Sequence, residues 1–89
     1  MFYVYLLQSP VRGSIYIGYT ADLKRRFKEH QSQSNHHGWK LVYYEAYRVE
    51  CDARERERKL KSYGSALGKL KARVRHSFIT PGEEWAGSQ

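Results

Sequence analysis

Two short runs rich in aromatic and β-branched side chains, FYVYLL and SIYIG, are separated near the start of the chain by SPVRG. Such runs favour extended backbone, and Pro10 and Gly13 between them are turn formers, so the segment from about Phe2 to Gly18 predicts a β-hairpin. A loop of about six residues, Gln8 to Gly13, would set Tyr5 directly opposite Tyr16 on one sheet face. Gly18 then ends the strand, either as a plain turn glycine or because a side chain there would crowd the tyrosine hydroxyls.

A hairpin needs a cover, and the rest of the chain supplies one. In TADLKRRFKEH, Thr20 can cap a helix, Asp22 suits its first turn, and no breaker intervenes before about Gln31. The polar SQSNHHG turns the chain into a third strand, WKLVYYEAY. DARERERKLKSYG opens on Asp52 with Glu55 three positions on, a capping-box variant, and Gly64 is its expected stop. In SALGKLKARV, Leu67, Leu70 and Val74 recur at helical spacing, with Lys69, Lys71, Arg73 and Arg75 outward. The order β-β-α-β-α-α predicts an α+β fold: a three-stranded antiparallel sheet flanked by about three helices. A chain of 89 residues builds one core, so residues 1–79 are expected to form a single domain and 80–89 a flexible C-terminal tail.

A formal charge of +7 directs attention to polyanions, nucleic acid or anionic lipid. Eight tyrosines among lysines and arginines suit nucleic acid, where rings stack on bases, although ring burial in the core accounts for most tyrosines in a small domain. Cys51 is alone, which excludes an intramolecular disulfide and a cysteine-rich zinc site and fits a reducing, cytoplasmic setting. MFYVYLL is too short to span a membrane, and neither basic helix has a broad apolar face, so no membrane association is expected. His36 and His37 lack a second ligand pair at zinc-site spacing and read as solvated loop residues.

Helical projection singles out polar residues on the wrong faces. At about 100° per residue, Leu23, Phe27 and His30 form one stripe of the first helix with Arg26 at its edge, while Arg25 points away. An arginine leaning toward a sheet requires a carboxylate or an anionic ligand. His30 is a core-edge histidine or a proton-handling group. In the second helix Glu57 falls between the apolar Ala53 and Leu60, which calls for a cation such as Arg26 or a bound metal.

Tyr16, Ile17 and Gly18, followed by Thr20, Asp22, Leu23, Arg26 and His30, resemble the second motif and first helix of the GIY-YIG nuclease superfamily. Tyr3, Val4 and Tyr5 fall on the first motif, with Tyr3 where the family has glycine, a departure shared with its small stand-alone members. EAYRVECDARERERKLKSYG resembles their strand, helix and turn, and sets Glu57 on the family's acidic position. The resemblance implies an endonuclease that hydrolyses phosphodiester bonds with a divalent metal, Mg²⁺ or Mn²⁺, held by Glu57 and completed by water and phosphate oxygens. It further implies that Arg26 neutralises charge on the phosphoryl group, that Tyr5 or Tyr16 activates the water, and that His30 shares or orients the proton.

A tyrosine serves as base near neutral pH only if neighbouring cations lower its pKa, a role open to Arg26 and the metal. DNA is expected ahead of RNA, with branched or nicked forms selected by shape, and Lys24, Arg25, Lys61, Lys69 and Lys71 are candidate phosphate contacts. The alternative is a catalytically silent nucleic-acid-binding module of the same fold, using the cations of the second and third helices, Arg54, Arg56 and Lys59 among them. The sequence specifies no protein partner and gives Tyr19, next to the YIG motif, no role.

Overall fold

The computed structural model describes residues 1–33 and 35–79; the expected tail, 80–89, lies outside them. The elements are β1 (Phe2–Gln8), β2 (Ile15–Thr20), α1 (Leu23–Ser32), β3 (Lys40–Tyr47), α2 (Glu50–Ser62) and α3 (Gly64–Arg73), closed by a 3-10 turn at Arg75–Ser77. The strands form one three-stranded antiparallel sheet, as expected of the α+β fold, and within it β1 lies between β2 and β3.

The hairpin register differs from expectation by two residues. Tyr5 faces Gly18, and Tyr16 faces Leu7. The loop is Ser9 to Ser14, closed by Ser9 N–H to Ser14 C=O at 3.0 Å and Gly13 N–H to Ser9 C=O at 2.9 Å, with Gly13 at φ 78°. A shift of two preserves the side-chain alternation, so Tyr5 and Tyr16 still share a face. Gly18 does not end the strand. It sits within β2 beneath the Tyr5 ring, and a Cβ there would overlap Tyr5 Cζ and Oη.

Alternation gives the sheet two unlike faces. Val4 and Leu6 of β1 and Ile17 of β2 meet Ala53 and Leu60 of α2 and Leu70 of α3 in the apolar core. Each such large side chain contributes roughly 1.5–3 kcal/mol by leaving water. Tyr3, Tyr5 and Leu7 point the other way, toward α1.

The helix ends carry three corrections. Asp22, not Thr20, caps α1, its carboxylate accepting from Arg25 N–H at 3.1 Å; Thr20 Oγ1 accepts from Asp22 N–H instead, at 3.1 Å. α2 begins at Glu50, before the expected Asp52 box, with no side-chain cap at Val49. Gly64 does not stop α2 in a left-handed conformation. Tyr63 alone, extended at φ −117°, separates α2 from α3, and Gly64 is already the first residue of α3.

Candidate active site

Tyr5, at 1% exposure, and His30, also at 1%, are buried together on the α1 side of the sheet. The Tyr5 hydroxyl lies 2.8 Å from His30 Nε2, and His30 Nδ1 lies 3.2 Å from His36 Nδ1. Tyr16, half-buried on β2, sets its ring 4.9 Å from that of His30 and 4.6 Å from that of His36. Trp39 closes the row at 4.8 Å from His36. His36 therefore belongs to the cluster and is not the solvated loop residue expected; His37, exposed, bonds the Gln31 carbonyl through Nδ1 at 2.8 Å. No local pattern marks His36, because its neighbours lie on β2 and α1 and become adjacent only when the loop folds back.

Arg26 borders this cluster. Its guanidinium donates to Glu29 at 2.9 Å, one turn along α1. Its pKa is raised, first by the Glu29 carboxylate and then by the Tyr5 hydroxyl, with a smaller effect from Tyr16. Burial pushes the Tyr5 phenol up to about 12, and the opposing pull of Arg26 does not offset it. Arg26 by itself therefore does not bring Tyr5 toward the range of a base; the expectation invoked Arg26 together with a metal. His30 is held below the ordinary imidazole range by burial, then by the charge of Arg26 and by His36. Tyr5 Oη, His30 and His36 thus form one hydrogen-bonded row, joined at His30 Nε2 and at the two Nδ1 atoms.

Glu57 comes from the other side. Arg56 reaches Glu45 on β3, whereas Glu50 and Arg54 reach Tyr19 on β2, and these contacts fix the rotation of α2. At about 100° per residue, Glu57 then lies on the β2 side of the buried Ala53–Leu60 line. Its side chain is 23% exposed, and its carboxylate pairs with Lys61 at 3.1 Å. The partner is thus Lys61, four residues on along the same helix face, and not Arg26. Tyr5, Tyr16, Arg26 and His30 are gathered into one cluster, and Glu57 comes to the β2 edge from α2, paired with Lys61.

A half-buried carboxylate is a hard oxygen donor suited to a divalent cation of the magnesium type. Among the described residues no group of three or more His, Cys, Asp and Glu converges, so Glu57 would leave most coordination positions to water and phosphate oxygens, which such an ion tolerates.

The expected phosphate contacts divide. Lys24, Lys69 and Lys71 make no ion pair among the described residues, whereas Arg25 pairs with Asp22 at 3.8 Å and Lys61 with Glu57. The alternative's cations are partly committed as well, Arg54 to Glu50, Arg56 to Glu45 and Lys59 to Glu55. Tyr19 now has a place. It stacks on Phe2 at 6.4 Å, donates to Glu50 and lies under the Arg54 guanidinium, so it ties β2 to the first turn of α2.

A family model, the GIY-YIG catalytic domain, matches residues 1–71. The chain belongs to the GIY-YIG family. Comparison with curated proteins and with solved structures gives no match. The GIY-YIG domain is a nuclease domain, a hydrolase of nucleic acid, and its members are generally dependent on a divalent metal. Among the described residues no helix is long and apolar enough to cross a membrane.

Proposed function

We propose that the chain is one nuclease domain, an endonuclease that cuts DNA, branched or nicked forms included, using Mg²⁺ or Mn²⁺ at Glu57. What carries the reading is the conjunction of Arg26 with the half-buried Tyr16, beside the hydrogen-bonded Tyr5–His30–His36 row. A bound metal supplies Lewis-acid stabilisation of the phosphoryl and leaving oxygens. Arg26 neutralises the charge that accumulates on the non-bridging oxygens. Tyr16 is the phenol open to substrate, and it orients the attacking water. Tyr5 stays protonated and, bonded to His30 Nε2, holds that ring in place at the wall of the site. The attacking water gives its proton to solvent water as the new P–O bond forms and the leaving oxygen departs.

The Lys61–Glu57 pair favours one competing reading, a binding module that no longer cuts. Nicking assays over duplex, nicked, flap and fork DNA, with and without divalent metal, separate the two. Glu57→Gln is expected to lower the metal-dependent rate on the order of a thousandfold, several kcal/mol of lost charge stabilisation, with an unchanged melting temperature. Binding of these substrates without any metal-dependent cutting by the unaltered protein would establish the binding module instead.

A further inference from the structure

Between α1 and β3, on the sheet face that carries Tyr5, lies a cleft of about 660 Å³ whose walls include Tyr3, Phe27, Leu41 and Tyr44. Its walls are chain and cross-strand neighbours of the reactive cluster, although none of the cluster's own side chains lines it. Tyr3 is two residues before Tyr5 on β1, Tyr44 is the cross-strand partner of Tyr5, and Phe27 lies one turn before His30 on α1. Tyr44, midway along the edge strand β3, is 53% exposed and presents its ring to the cleft. It meets Tyr3 edge-on, at 6.0 Å between centroids and 66° between planes, so the two rings do not cover one another.

Lys24 and Lys28 also line the cleft, four residues apart on one face of α1, and neither forms an ion pair among the described residues. Aromatic walls with two free cations at one side suit a heteroaromatic base attached to a phosphodiester backbone, and Asp22, which also lines the cleft, is engaged in capping α1 and pairing with Arg25.

We propose that this cleft receives an unstacked nucleobase next to the phosphodiester that is cut, with Lys24 and Lys28 on the adjoining phosphates. The proposal rests on the nuclease reading and narrows its substrate class. Bases inside an intact duplex are stacked and reach such a cleft only by flipping out, so DNA with an unpaired nucleotide at the cut site is the favoured form.

The test uses the full chain carrying Glu57→Gln, so that binding is measured without cutting. The probes are a flap duplex with 2-aminopurine at the junction and a fully paired duplex of the same sequence. Flap DNA is expected to bind more tightly than the paired duplex, with a change in 2-aminopurine emission. Adding Tyr44→Ser is expected to weaken flap binding about tenfold, the loss of one base–aromatic stack. Tyr63→Ser, at an equally exposed tyrosine on the other side of the molecule, is expected to leave flap binding unchanged. Equal affinity for both DNAs, or no loss with Tyr44→Ser, overturns the base site. A protein with native Glu57 that cuts flap DNA equally well with and without Tyr44→Ser keeps the nuclease reading and removes the base site. Loss of flap binding with Tyr44→Ser in a protein that never cuts removes the nuclease reading alone.

Discussion

Each face of the sheet buries a tyrosine-rich polar network, and the two are built on opposite principles. On the α2 side, Glu45 accepts from Arg56 Nε at 2.9 Å and from Arg56 Nη2 at 3.0 Å, as well as from the Tyr43 and Tyr47 hydroxyls. Charges there cancel, and every group has its partner. On the α1 side Arg26 stands beside phenols and imidazoles, and the one carboxylate it pairs with among the described residues, Glu29, lies on its own helix. A closed network of that first kind fixes a fold; the second leaves positive potential available to an incoming phosphate.

Exchanging one arginine on each face tests that contrast most strongly. Arg26→Ala should slow metal-dependent nicking by about 10²–10³-fold, yet cost under about 1 kcal/mol of stability, because its Glu29 pair is a partly exposed one. Arg56→Ala should do the reverse. It leaves Glu45 without its cation and should cost about 2 kcal/mol in urea unfolding, with the nicking rate of the folded fraction unchanged. If both variants lost activity equally while fully folded, the division of labour between the faces would be wrong.

Gly18→Ala probes the contact that shapes the reactive face. The added methyl has to displace the Tyr5 ring, and such overpacking costs roughly 1–3 kcal/mol. Thermal melting should show the loss, and nicking should fall by more than the folded fraction explains, since Tyr5 then leaves His30.

Acid titration gives the smallest effect and separates the networks by pH. His30 is depressed in the folded state, so the unfolded chain takes up its proton first. Stability is therefore complete above about pH 6.5, the ordinary histidine value, and declines as the pH falls below it toward the folded value. Burial pushes the Glu45 carboxyl up, but Arg56, Tyr47 and Tyr43 together hold it below the ordinary glutamate value of 4.5. Its contribution is thus present above pH 4.5 and is lost as the pH falls through the depressed folded value. Denaturant midpoints measured across pH should show two declines, and Glu45→Gln should remove only the lower one.

The strands and their order were legible because β-branched and aromatic runs between turn residues have few other uses in so short a chain. Helical spacing separated Arg26 and His30 from Arg25, and that separation holds in three dimensions. Register was less legible, since Ser9 and Ser14 close the hairpin through backbone bonds that any residue makes. The start of α2 escaped notice for a related reason. Arg54, one turn on, and Tyr19, from β2, hold Glu50 in the first turn, and the Tyr19 contact lies outside the local sequence. His36 and the Glu45 network were hidden entirely, because each depends on side chains brought together from separate elements.

The overlap between Gly18 and the Tyr5 ring also bears on how such a chain can change. The two positions behave as one heritable unit: any side chain at 18 demands a smaller group at 5, and a smaller group at 5 gives up the phenol that holds His30. In a selection for second-site suppressors of Gly18→Ala, changes that restore folding should therefore cluster at Tyr5 and should fail to restore cutting, separating the two traits in a single lineage.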